Sequence, residues 1–186
     1  MTTTTLLLIR KPARRRGFTL VEIMIGASLS TFILAGVLST FLFLGRSGAN
    51  MQNYTDMETQ ARRGLEIFAE DVRQASSITW NTAHSATIVV NSASVTYAYD
   101  SSTRIFSRNG SALITGITAG SFDFSAFNVA GTEMPLSTAA ERTAASSSTK
   151  QLQITLEATR TNTTVVAATN TVLSARFILR NKIVTA

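Results

Sequence analysis

The sequence predicts an α+β protein. One long N-terminal helix, membrane-spanning in its first half and amphipathic in its second, packs on a C-terminal antiparallel β-sheet head. Three observations predict this. Residues 23–45 form an apolar run with no charged side chain. From Met51 to Ala75 apolar residues recur at steps of three and four, the period of a helix face. From about Ile78 the period becomes an alternation of two, the signature of strands.

The chain of 186 residues has room for one folded domain and one membrane helix. It is 45% hydrophobic and only 15% charged, a balance that leans toward an exported or membrane-associated chain and away from disorder. The net charge of +6 is not a nucleic-acid footprint. Arg10, Lys11, Arg14, Arg15 and Arg16 all precede residue 17 with no acid among them, which leaves 12 of the 17 basic residues against 11 acidic ones. The rest of the chain is nearly neutral, so no nucleic-acid partner is expected. With no Cys, disulfides, thiolate metal sites and a cysteine nucleophile are excluded.

From Ile23 to Gly45 the run is long enough, at about 1.5 Å per residue, to span roughly 30 Å of hydrocarbon. The basic cluster before it places the N-terminus in the cytoplasm by the positive-inside rule, and the remainder outside. An ordinary secretory signal is the first rival. Ser47-Gly48-Ala49 offers a small-residue cleavage site with a mature start at Asn50. The apolar run is longer than the 7–15 residues or so such signals use.

Arg16-Gly17-Phe18-Thr19-Leu20-Val21-Glu22, behind a basic leader and ahead of the apolar run, resembles the class III signal of type IV pilins and type II secretion pseudopilins. The resemblance implies cleavage by a prepilin peptidase between Gly17 and Phe18, N-methylation of Phe18, and retention of the apolar helix in the mature protein. Gly17 lacks a Cβ and suits the close approach of a protease to the backbone. Glu22 is a carboxylate in an apolar segment, where insertion costs about 2.5–3.5 kcal/mol and less near the interface. The resemblance implies that it pairs with the Phe18 amine of a neighbouring subunit and sets the axial register. The local alternative is a Glu that snorkels from the first helical turn, favourably placed against the helix dipole. The small residues Gly26, Ala27, Ser28, Ser30, Ala35, Gly36 and Ser39 would let such helices pack closely.

The expected organisation is a leader over 1–17, a transmembrane and filament-core helix over 18–45, its amphipathic continuation over 46–77, and a periplasmic β-rich head over 78–186. In the continuation the apolar stripe is Met51, Tyr54, Met57, Ala61, Leu65, Phe68, Val72 and Ala75, and Gly64 marks a close crossing against a strand. In the head, strands are expected at 86–91, 94–99, 104–108, 111–115, 121–127, 150–159, 164–169 and 172–180. Asn109-Gly110 signals a type I′ hairpin. Residues 128–149 read as a loop and 160–163 as a turn. The helix end from Leu65 to Ala75, the stretch Leu113–Phe124, the alternating strand around Ile154, and the C-terminal Ala175-Arg176-Phe177-Ile178-Leu179-Arg180-Asn181 resemble J-type minor pseudopilins and related minor pilins.

No catalytic, metal or cofactor site is expected. His84, the only histidine, sits in a polar turn without a nucleophile elbow. The helix acids, Asp71 among them, lack calcium-loop spacing. Asp123 alternates with Phe122 and Phe124 and reads as solvent-facing. Arg104, Arg108 and Arg160 read as solvated strand ends. The resemblance implies a structural subunit near the tip of a type II secretion pseudopilus, where it helps initiate assembly. Its partners would be other minor and major pseudopilins or pilins, the prepilin peptidase, an inner-membrane assembly platform and secreted cargo. The alternatives are a minor pilin of a surface pilus for adhesion, motility or DNA uptake, a membrane-tethered periplasmic binding domain, and a secreted enzyme released at Ala49.

Overall fold

The computed structural model describes residues 17–160 and 169–184. The expected leader therefore lies outside the described residues except for Gly17, as do most of the 164–169 strand and the 161–163 part of the expected turn. Helix α1 runs over Leu20–Gln74, and two compact units divide between Gly45 and Arg46.

The first unit holds the start of the helix. Every residue from Gly17 to Gly45 is exposed. In the second unit the stretch from Met57 onward is a packed helix face. Met57, Ala61, Gly64, Phe68, Ala69, Asp71 and Val72 are buried. Met51 and Tyr54, the first two residues of the expected stripe, are exposed, because the periodic pattern begins before the sheet that would cover it. Gly64 is required by packing. A Cβ there would come within 2.7 Å of Ile114 Cγ1, and Ile114 is itself buried.

Two antiparallel sheets follow. The first is a meander in the order β1–β2–β3–β4–β5, with β1 at Ser77–Thr82, β2 at Ser85–Val90, β3 at Ala93–Asp100, β4 at Ile105–Arg108 and β5 at Ser111–Thr115. Asn109 and Gly110 both have positive φ, as a type I′ turn demands. The second sheet has the order β7–β6–β8–β9, with β6 at Asp123–Phe127, β7 at Glu133–Met134, β8 at Gln151–Arg160 and β9 at Thr169–Ile178. Residues 128–149 are not simply a loop. They hold β7 and a helix α2 at Ala139–Ser148, opened by a capping box between Thr138 and Glu141. Strand β1 also lies outside the expected set.

Phe68 is the hub of the core. Its ring meets Tyr97 edge-on at 4.9 Å, Phe106 at 5.8 Å and Phe177 at 5.7 Å, and stacks at 6.0 Å on Phe124. One helix side chain thus joins rings from both sheets. After β9 the chain secures both helix ends. The Asn181 amide donates to the Gln74 carbonyl at the end of α1. Lys182 Nζ donates to the Ser146 carbonyl at 2.6 Å and the Thr149 carbonyl at 3.0 Å at the end of α2. These are carbonyls that a helix leaves without internal partners. Burial, with Lys150 nearby, pushes the Lys182 ammonium down to about 8.

Candidate processing and assembly site

Gly17 and Phe18 precede α1 in exposed, non-helical backbone. Among the described residues no atom would lie within 4 Å of a Cβ at Gly17. Packing among those residues therefore gives no reason for glycine there, in contrast to Gly64.

Thr19 and Glu22 form a reciprocal capping box at the start of α1. The Glu22 N–H donates to Thr19 Oγ1 at 3.2 Å, while Glu22 Oε2 accepts from the Thr19 N–H at 2.9 Å and the Thr19 hydroxyl at 3.0 Å. Thr19-x-x-Glu22 ahead of an apolar run is the local sequence signature of this box. Glu22 thus has its hydrogen-bond partners within the first helical turn, on Thr19. Among the described residues no cation stands at ion-pair distance from it.

Along the apolar run, large side chains such as Phe32, 84% exposed, face outward on every side. An 18-residue window has mean hydropathy 2.0 with none of it buried, so α1 is long and apolar enough to cross a membrane. Three of the hydroxyls here bond back to the helix itself. Ser28 donates to the Met24 carbonyl, Thr31 to Ala27 and Thr40 to Gly36. Such back-bonding suits a helix surrounded by hydrocarbon.

In the head the polar groups that sequence reading scattered are partly joined. Arg108 is not a solvated strand end. Its Nε donates to Asp71 Oδ2 at 2.7 Å, and the Tyr97 hydroxyl donates to the same oxygen at 2.7 Å. The arginine and the helix acid lie 37 positions apart, so only the folded register of β4 against α1 brings them together. Burial and the neighbouring carboxylate push the Tyr97 phenol above its ordinary range. His84 is exposed in its turn, with its ring near Tyr99 and Phe122. Asp123 is exposed between buried Phe122 and Phe124. Among the described residues no three His, Cys, Asp or Glu gather as metal ligands.

The fold and this N-terminus define a class: an α+β protein with one membrane-capable N-terminal helix whose second half is built into a β-rich head. Residues 12–38 match the family model of the prokaryotic N-terminal methylation motif, the signal of type IV pilins and pseudopilins. The match spans the end of the basic cluster, Gly17, Phe18, Glu22 and the apolar run as far as Leu38, and it supports a type IV pilin-like subunit. No curated protein matches the chain significantly.

Proposed function

We propose that the chain is a minor pseudopilin, placed at or near the tip of a type II secretion pseudopilus, where it helps start filament assembly. The observation that carries this reading is the methylation motif laid over an apolar helix that no described residue of the chain buries. In this reading the leader is cut between Gly17 and Phe18 in the cytoplasm and Phe18 is methylated. The helix then passes from the inner membrane into the filament while the head stays periplasmic. Helices of other pseudopilins supply the missing contacts. The C-terminal likeness to J-type minor pseudopilins supports the secretion role, while a minor pilin of a surface pilus would use the same helix.

N-terminal mass spectrometry tests the processing. Methylated Phe18 is expected, and Gly17→Trp is expected to retain the leader. Mature protein starting at Asn50 would overturn the reading.

Two substitutions separate the roles of Glu22. Glu22→Ala removes both the cap and the charge. Glu22→Gln keeps a side chain that can complete the capping box but has no charge to attract an amine. If the charge sets the register, both variants insert and both incorporate poorly into filaments beside wild-type partners. Normal incorporation of Glu22→Gln would reduce Glu22 to a helix cap.

A further inference from the structure

Among the described residues the head carries one long sheet edge with no strand beside it. Its other edges are blunted. On β1, the Trp80 N–H is taken by Ser146 Oγ of α2 at 2.9 Å. Strand β7 has two residues, and the five-residue β5 lies against α1 at Gly64. Strand β9 has ten residues, and among the described residues no strand pairs with its outer side.

Ladder parity identifies the free groups. The Thr118 N–H donates to the Glu157 carbonyl, and the Thr159 N–H to the Gly116 carbonyl, so odd-numbered residues of β8 bond on the β6 side. Even-numbered ones then bond toward β9, where Leu152 opposes Phe177 and Ile154 opposes Ala175. The Leu179 N–H, donating to the Lys150 carbonyl, keeps this parity. Val172, Ser174, Arg176 and Ile178 therefore aim their N–H and C=O groups outward.

Two neighbouring features state the chemistry of what would fit beside that edge. Leu173, Ala175 and Phe177 are only half-buried, and a groove of about 610 Å³ lies between Phe177 and the Leu65–Gln74 stretch of α1, with Leu65 and Ala69 on its wall and Glu66 and Glu70 along it. At the C-terminal end of β9, Arg73, Arg176 and Arg180 line a second cleft of about 180 Å³ with Phe177 and Ile178. None of these arginines has a carboxylate at ion-pair distance among the described residues. Arg73 lies over the Phe177 ring, while Arg176 lies over Phe127 and donates to Gln153. Three arginines thus border the Ile178 end of β9, Arg73 on the Phe177 face and Arg176 on the opposite one, and among the described residues none of them is ion-paired.

We propose that β9 is a docking edge for an extended acidic segment of another polypeptide, added to the sheet as its next strand. Outward backbone groups supply the ladder, the groove takes the segment's apolar side chains, and the arginine cleft takes a carboxylate near the Ile178 end. The glutamates along the groove disfavour a second acid at the Leu65 end, which fixes the polarity of the segment. This goes beyond the filament reading and does not rest on it.

The test uses the full chain in detergent micelles and a labelled peptide of about ten residues, alternating Val and Thr and ending in two Glu. Saturable binding is expected, weaker by about tenfold or more when Lys replaces Glu. Amide exchange should slow at Val172, Ser174, Arg176 and Ile178, and stay unchanged at Leu173, Ala175 and Phe177. Val172→Pro removes an outward donor and no ladder bond, so it should keep the melting temperature and lose binding. Equal binding of the acidic and basic peptides, or wild-type binding by Val172→Pro, overturns the proposal. So does protection of those amides by protein concentration alone, which would mean a second copy fills the edge. The assay is indifferent to processing at Gly17, so either reading can fail without the other.

Discussion

Phe32 and Phe68 stand on the same helix and differ in everything that surrounds them. Phe32 is 84% exposed, whereas Phe68 is 1% exposed and meets four aromatic rings. Up to Gly45 the helix is apolar on all sides; beyond Met57 it is apolar on one. A helix hydrophobic all round needs an environment from outside the chain, and an amphipathic one makes its own with a sheet. The two regions therefore obtain their stability from different sources, and substitutions in them should report on different measurements.

The largest effect is expected where the core converges. Phe68→Ala opens a cavity between the two sheets and should cost the head about 3–5 kcal/mol, read by urea unfolding of the detergent-solubilised chain. Phe32→Ala should leave that unfolding curve in place. A matching loss from Phe32→Ala would show that the apolar stretch is part of the head's cooperative unit, and the contrast would fail.

A smaller loss is expected at the buried acid. Asp71→Ala strands the Tyr97 hydroxyl and the Arg108 guanidinium, at a cost of about 1–3 kcal/mol. The figure stays at that level because the Arg108 side chain keeps 36% of its exposure and can rehydrate. Asp71→Asn retains an acceptor for Tyr97 and should lose less. Equal losses in the two variants would assign the whole effect to the charge.

How much of this was legible depended on the range of the cause. The apolar run, the Gly17-Phe18 junction, the helix face and the Asn109-Gly110 turn are written in neighbouring residues. Gly64 was legible as a crossing because glycine is costly inside a helix. What escaped was either locally atypical or distant. Asn91 and Ser92 both take positive φ in the β2–β3 turn, although serine seldom does, so no Asn-Gly signal announced it. Helix α2 is drawn from an Ala, Ser and Thr run that resembles loop composition; its Thr138-x-x-Glu141 box was the one readable sign. Arg108 with Asp71, and Lys182 with the end of α2, meet only across the folded head. Their partners lie 37 and 33–36 residues away, beyond any local pattern.

The finest comparison uses the same device in both regions. Thr19 with Glu22, and Thr138 with Glu141, are capping boxes of nearly one geometry. The side-chain bond to Thr N–H is 2.9 Å in the first and 2.8 Å in the second, and the return bond to Thr Oγ1 is 3.2 Å in both. Removing the hydroxyl leaves one helix N–H without its acceptor, typically at a cost near 1 kcal/mol. In α2 that cost falls on the head, because Ser146 and Thr149 from this helix and its end hold Trp80 and Lys182. Thr138→Ala should therefore lower head stability by about 0.5–2 kcal/mol. Thr19→Ala frays only the first turn of α1, where no residue is buried, so head unfolding should not move. Its effect should appear instead as faster amide exchange over residues 20–23. A shift of the head's unfolding midpoint by Thr19→Ala would mean that the start of α1 is coupled to the core after all.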